Sequence, residues 1–138
     1  MPDKWMVCML NECPRHDTCL RFRAMNIINE RHSRQNCVLP SALRDGCCRY
    51  FVPDEEVTVA WGMKTLFLYV SAADATRMRP SVKALFKSHS TYYRYYHGRY
   101  PISPSRQQTI RRIFERFGCN PAAVRFDRVE QSYFFPQP

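Results

Sequence analysis

The sequence predicts a mainly α protein, a helical body preceded by a cysteine-rich, metal-stabilised module. Three observations carry that expectation. Six of the seven cysteines fall within the first 48 residues, and without an export signal such a cluster reads as metal ligation rather than disulfides. Apolar residues recur at helical spacing through the middle of the chain. A chain of 138 residues, 45% hydrophobic, builds one core or two small modules. The expected parts are a metal-binding module over 1–53, a helical body over 54–118, and a tail over 119–138 packed on the body.

In the first module a helix is expected from Thr18 to Asn29, where Leu20, Ala24 and Ile27 or Ile28 share a face. Asn36 to Ser41 reads as loop or short strand, ended by Pro40. About 50 residues make only a marginal core without a staple, and a metal supplies one. The spacings are Cys8-x4-Cys13-x5-Cys19, then Cys37, then Cys47-Cys48. Tetrahedral zinc takes four soft ligands, often a close set and a distant one. The candidates are Cys8, Cys13, Cys19, Cys48 and Cys37, with His16 as an alternative donor. Thiolates also suit an iron–sulfur cluster, and the plainer alternative is buried, reduced thiols packing as small hydrophobes. Zinc is the expected cofactor, in a structural role, because no His-Glu-x-x-His pattern accompanies the cysteines. Cys119 reads as a packing residue.

In the body, Pro53-Asp54-Glu55-Glu56 reads as a helix start capped by Asp54. Val57, Ala60, Trp61, Lys64, Phe67 and Leu68 then follow helical spacing, with Lys64 the one polar intruder. A second helix is expected over about Ala73 to Lys87, with Met78, Val82, Leu85 and Phe86 inward, and Pro80 kinking it or marking its first turn. Ser88-His89-Ser90 is a turn, and a short helix from Thr91 to His97 ends at Gly98. Ser103-Pro104 caps and opens a helix reaching Phe117, with Ile110, Ile113, Phe114 and Phe117 as its buried stripe and Gly118 closing it. Val124 to Phe135 alternates in part and is too apolar to leave in water. This tail is expected to pack back on the helices, with a strand as one form.

The net charge is +9, from 21 Lys and Arg against 12 Asp and Glu, which favours an anionic partner, nucleic acid first. Residues 89–118 alone hold six basic residues, one acid and five tyrosines. On a helical wheel Tyr92, Tyr95 and Tyr96 fall together toward the core. Ser90, Thr91, Tyr93, Arg94 and His97 fall outward and, with Arg99, form the expected nucleic-acid-binding surface. Arg106, Arg111, Arg112 and Arg116 read as phosphate contacts or solvated charge.

An apolar helix, a tight turn, a short polar-faced helix and a closing helix follow one another in helix-turn-helix order. Residues 57–118 resemble the repressor-type helix-turn-helix proteins of bacteria and phages. The likeness rests on that order, the Ser90-Thr91 start of the short helix, its Gly98 end, and Ile102-Ser103-Pro104 leading to Gly118. It implies a helix-turn-helix-like body that binds DNA as a regulator. The whole chain also resembles a family of small uncharacterised proteins of Bacteroides-type gut bacteria. That likeness is carried by Cys13-Pro14 with Cys19-Leu20-Arg21, by Cys48-Arg49-Tyr50-Phe51, and by Ala60-Trp61-Gly62-Met63-Lys64 with Leu66-Phe67. Thr91-Tyr92-Tyr93-Arg94 and Phe126-Asp127 complete it. It implies a cytoplasmic bacterial protein with no established activity, whose recurrent cysteines correspond to Cys8, Cys13, Cys19 and Cys48.

Several classes are disfavoured. No stretch approaches the roughly 20 apolar residues of a membrane span, and Met1-Pro2-Asp3-Lys4-Trp5 lacks the features of a signal peptide, so no membrane partner and a cytoplasmic location are expected. The four glycines, at 46, 62, 98 and 118, form no phosphate-cradling loop, and no Gly-x-Ser-x-Gly elbow occurs. Enzyme is the weaker reading. The expected function is metal-stabilised nucleic-acid binding, DNA first, and a homodimer is compatible with it. The alternatives are a protein-interaction module with a structural zinc, and a cysteine-based redox or iron–sulfur protein.

Overall fold

The computed structural model describes residues 4–28 and 32–136, and the chain divides into two units, 1–55 and 56–138. Proline and glycine punctuation keeps the elements of the first unit short. Strand β1 (Val7–Cys8) pairs in parallel with β2 (Cys37–Val38), setting Val7 beside Cys37 and Cys8 beside Val38. Between them lies α1 (Leu20–Arg23), continued by a 3-10 turn over Ala24–Asn26. The expected helix from Thr18 is thus cut short, because Asn26 and the β-branched Ile27 and Ile28 are poor helix formers. Its end at Asn29 lies outside the described residues. Strands β3 (Leu43–Arg44) and β4 (Cys47–Cys48) form a hairpin. Its corner, Asp45 at φ 51° and Gly46 at φ 73°, has the two left-handed residues that a type I′ turn requires.

One arginine ties this unit together. Arg21 donates from Nε to the Tyr50 carbonyl at 2.6 Å and from Nη1 to the Met6 carbonyl at 2.9 Å. Its guanidinium lies 4.0 Å over the Trp5 ring. The chain that leaves the hairpin is held where Leu20 N–H meets the Val52 carbonyl and Asp54 N–H meets the Thr18 carbonyl. Asp54 is therefore no helix cap: its carboxylate pairs with Arg23 at 3.0 Å.

The second unit opens with β5 (Glu56–Trp61), followed by α2 (Ala72–Lys83), α3 (His89–Tyr96), β6 (Pro101–Ile102), α4 (Pro104–Arg116) and β7 (Arg128–Tyr133). Where a helix was expected from Pro53 through Leu68, Glu56–Trp61 is a strand and the residues from Gly62 to Leu68 are loop and turn. Val57, Thr58 and Val59 are β-branched and favour the pleated surface, and Gly62 at φ +79° turns the chain at Trp61. Strand β5 is central in the order β6-β5-β7, antiparallel to both neighbours. It pairs with β7 along its whole length, from Glu56 opposite Tyr133 to Trp61 opposite Arg128.

The fold is therefore mixed α/β, which corrects the mainly α expectation and the helix-turn-helix-like body with it. A central strand stands where the first helix was expected, and the link between α3 and α4 joins a sheet. Some local signals hold: Ser103 accepts the Arg106 N–H as an N-cap, and Pro104 follows at the first helical position. Helix α3 starts earlier than Thr91, because Ser88 rather than Ser90 or Thr91 is its cap, accepting the Thr91 N–H. His89 and Ser90 are therefore helical and not a turn. Ser71 caps α2 in the same way through the Asp74 N–H. Gly98 and Gly118 sit at φ +74° and +76° just beyond α3 and α4. Pro80 lies inside α2 rather than at its start.

The core of this unit gathers Ala60, Met63, Leu66, Met78, Val82, Phe86, Tyr92, Tyr95, Ile102, Ile110, Ile113, Phe114 and Phe126. Helix α4 packs on β5 and on α2. Gln107, the buried polar side chain of this core, bridges α4 to the sheet by donating to the Thr58 and Ile102 carbonyls, both at 2.9 Å.

Candidate functional site

Two places carry functional chemistry, one in each unit. In the first, β1, the turn before α1, the start of α1 and β4 bring Cys8, Cys13, Cys19 and Cys48 around one cavity of about 20 Å³. Cys8, Cys13 and Cys19 are buried, and Leu10, Phe22, Val38, Leu43, Tyr50 and Phe51 make the rest of the wall largely apolar. Such a volume holds about one water-sized particle. Burial pushes the Cys8 thiol up, and the nearby Cys19, Cys37 and Cys48 thiols push the same way, against a backbone hydrogen bond from Leu10. Arg21 lines the same cavity; burial lowers its guanidinium, and Cys19, Cys48, Cys8 and Tyr50 work against that lowering.

The other candidate donors stand apart. His16 lines the cavity, but its Nδ1 faces the Cys13 carbonyl at 2.7 Å and its Nε2 faces Asp17 at 3.0 Å, so the ring as placed turns no free nitrogen inward. Cys37 lies with Cys47 and Cys48 along a separate open groove. No group of three or more His, Cys, Asp or Glu among the described residues is arranged to hold a metal ion. The four cavity thiols surround the space without meeting at one point. Cys119 is half-buried with its Sγ 3.8 Å from the Met78 sulfur, a packing contact.

The second place begins with charge. Residues 56–138 hold thirteen Lys and Arg against five Asp and Glu, so this unit carries net +8 of the total +9. Many of these cations lie against aromatic rings. Lys83 Nζ is 5.5 Å from the Tyr92 ring and 5.9 Å from the Tyr93 ring, and the Arg79 guanidinium is 5.4 Å from the Phe67 ring. These residues, with Met63, Lys64, Leu68 and Tyr96, line a groove of about 450 Å³ whose wall contains no carboxylate. None of Lys64, Arg79 and Lys83 is in an ion pair among the described residues.

Local structure explains how the groove is held. The turn that carries Lys64 is tied down by Asp127, whose carboxylate accepts from Thr65 N–H at 2.9 Å, Thr65 Oγ1 at 2.8 Å and Lys64 N–H at 3.3 Å. Met63 N–H donates to the Tyr96 carbonyl at 3.0 Å, which joins that turn to α3. Burial raises the Tyr92 phenol, Tyr93 and Tyr96 add to the effect, and Arg79 opposes it. Tyr92 therefore stays neutral at physiological pH.

The residues expected to contact nucleic acid are spread around α3. Ser90, Arg94, His97 and Arg99 are exposed, and Thr91 and Tyr93 half-exposed. Arg94 Nη1 donates to the Tyr100 hydroxyl at 3.1 Å, Thr91 Oγ1 accepts from Ser88 at 2.9 Å, and Tyr93 turns toward Lys83 in the groove. Tyr92 and Tyr95 are buried and Tyr96 half-buried. Sequence reasoning missed Phe67, Arg79 and Lys83 as surface chemistry. A signal was available in Arg79 and Lys83, four residues apart and so on one face of α2. Lys64, the polar intruder on the expected helix, is exposed on a turn.

A family model, described as a family of unknown function (DUF6078), matches residues 1–135. No curated protein and no solved structure matches the chain. Among the described residues no helix is long and apolar enough to cross a membrane.

Proposed function

We propose that this chain, which belongs to the family of unknown function DUF6078, is a nucleic-acid-binding protein of the cytoplasm whose residues 56–138 carry the binding surface. The observation that supports this most is the charge of that unit: thirteen cations against five acids, two of the cations, Arg79 and Lys83, lying on aromatic rings along a groove without a carboxylate. Cations release condensed counterions from a phosphate backbone, and aromatic faces offer bases a stacking partner. The proposed contacts are Ser90, Thr91, Tyr93, Arg94, His97 and Arg99. Titration with mixed DNA across a salt series tests the reading. Affinity is expected at low salt, and its logarithm falls linearly with the logarithm of salt concentration. Undetectable binding at the lowest salt refutes it.

A second reading concerns the cofactor and is favoured by the thiol cavity. Three cysteines close in sequence and one distant, Cys8, Cys13, Cys19 and Cys48, surround a space for about one particle, which suits a single zinc ion better than a cluster of several irons and sulfides. A zinc ion there would take tetrahedral thiolate coordination from Cys8, Cys13, Cys19 and Cys48, and Arg21, which lines the same cavity, would offset part of the resulting negative charge. Elemental analysis of freshly purified protein tests this. One colourless zinc per chain is expected; a brown protein containing iron and sulfide refutes it.

A further inference from the structure

The groove between the Lys64 turn, α2 and α3 shares only Tyr93 with the predicted contact face of α3 and has a chemistry of its own. The rings of Phe67, Tyr93 and Tyr96 make its apolar floor, with Tyr93 and Tyr96 edge to face at 70° rather than coplanar, and exposed Leu68 lines it too. Lys64, Arg79 and Lys83 stand around it, exposed and outside any ion pair among the described residues. Tyr93 is a half-exposed ring of the groove: Lys83 Nζ lies 5.9 Å from it, and it is buttressed by His89 at 4.5 Å, Tyr92 at 5.1 Å, Tyr96 at 5.7 Å and His97 at 5.9 Å between centroids. A ring fixed by its neighbours loses little freedom when something stacks on it.

We propose that this groove seats an unstacked base of a single-stranded nucleic acid, with the flanking phosphates held by Lys64, Arg79 and Lys83. The proposal deepens the nucleic-acid reading and rests on it. Single strands are selected for a geometric reason. In a duplex the π-faces of the bases are covered by their neighbours, and only edges reach the grooves. A recessed aromatic floor therefore meets a base only when that base is splayed out of its stack. Cations at the rim and none of opposite sign in the wall suit a phosphate on either side of that base. An acidic peptide satisfies the rim but leaves the aromatic floor without a planar partner.

The experiment uses the full chain and a fluorescein-labelled oligodeoxythymidylate, compared with a duplex of the same length, read by anisotropy at several salt concentrations. The single strand is expected to bind about 10-fold tighter than the duplex at low salt, in line with one stacked base. Tyr93→Ala lowers affinity for the single strand about 10-fold and leaves the salt slope unchanged. Lys83→Ala reduces that slope by about one phosphate's share, roughly 0.7. Lys87→Ala, exposed and outside both the groove and the predicted contact face, serves as the comparison, and circular dichroism melting checks that each variant folds. Equal or tighter binding to duplex, with Tyr93→Ala losing no more than Lys87→Ala, overturns the groove while leaving the nucleic-acid reading standing. No binding of either nucleic acid at the lowest salt overturns both.

Discussion

Replacing Gln107 tests how the second unit is held together. Strand β6 supplies only Pro101 and Ile102 as partners for β5, so the Thr58 carbonyl, further along that edge, has no residue of β6 opposite it. The Gln107 amide takes the place of the missing strand and donates to Thr58 and Ile102 at 2.9 Å each, at a position only 3% exposed. Gln107→Met keeps most of the volume and removes both donors, leaving two carbonyls short of a partner. Each such orphan costs about 1–3 kcal/mol, and with some relaxation the pair is expected to cost about 2–4 kcal/mol. For a unit of this size that corresponds to a fall in Tm of roughly 10–25 °C. The assay is urea unfolding followed by circular dichroism, with an unchanged m-value as the sign that only stability has moved. Gln107→Glu adds a sign. The buried carboxyl's pKa is raised in the folded state, so the variant is least stable at neutral pH and recovers as pH falls toward the unfolded value of about 4.3. If Gln107→Met costs less than about 0.5 kcal/mol, the bridge contributes nothing and the reasoning fails.

Gly62→Ala is expected to cost about 2–4 kcal/mol, because its Cβ would run into the Asp127 side chain on a backbone already at φ +79°; adding Asp127→Ala should make the double variant cost less than the sum of the two singles, read by urea titration. Pro80→Ala should stabilise the second unit by about 1–2 kcal/mol, since proline inside α2 leaves the Thr76 carbonyl without its helical donor; a lower Tm than wild type refutes this. Metal-free protein should lose stability as pH rises. The Cys8 thiol is raised above its ordinary 9.0 by burial and by the neighbouring thiols, so its contribution is present below pH 9 and lost as pH climbs through the folded-state value. The urea midpoint at pH 8 and pH 10, with Cys8→Ser as the control that flattens the difference, measures this.

Signals that act within a few residues were legible in the sequence. Ser103-Pro104, Gly98 and Gly118 marked helix ends correctly, because a cap or a left-handed residue is a property of two or three neighbours. The inward faces of α2 and α4 were legible for the same reason: Met78, Val82, Ile110, Ile113 and Phe114 repeat at one spacing and are buried. The stretch 56–68 misled because Val57, Ala60, Trp61, Lys64, Phe67 and Leu68 satisfy a helical period by chance, while the deciding interaction lies with residues 128–133. A strand that owes its existence to a distant partner shows no local signal beyond its β-branched residues. The thiol cavity was legible as a set of cysteines, but its geometry, with Cys37 displaced to another groove, depends on the parallel pairing of β1 with β2. The basic groove was the least legible, since it joins a turn, α2 and α3 through Asp127 and the Tyr96 carbonyl.

The long pairing of β5 with β7 also governs how this unit can come into being. A ribosome releases Val57, Val59 and Trp61 long before Arg128–Tyr133, and about seventy residues must follow before the strand meets its full-length partner. Until then β6 covers only the last two residues of β5, and a β-branched, apolar edge stays open to any other nascent strand. Helices α2, α3 and α4 can form locally during that interval, but closing the sheet must be a late event with a high loop-closure cost. A chain stalled before β7 would therefore be a chaperone client and a nucleus for aggregation, whatever the integrity of its helices.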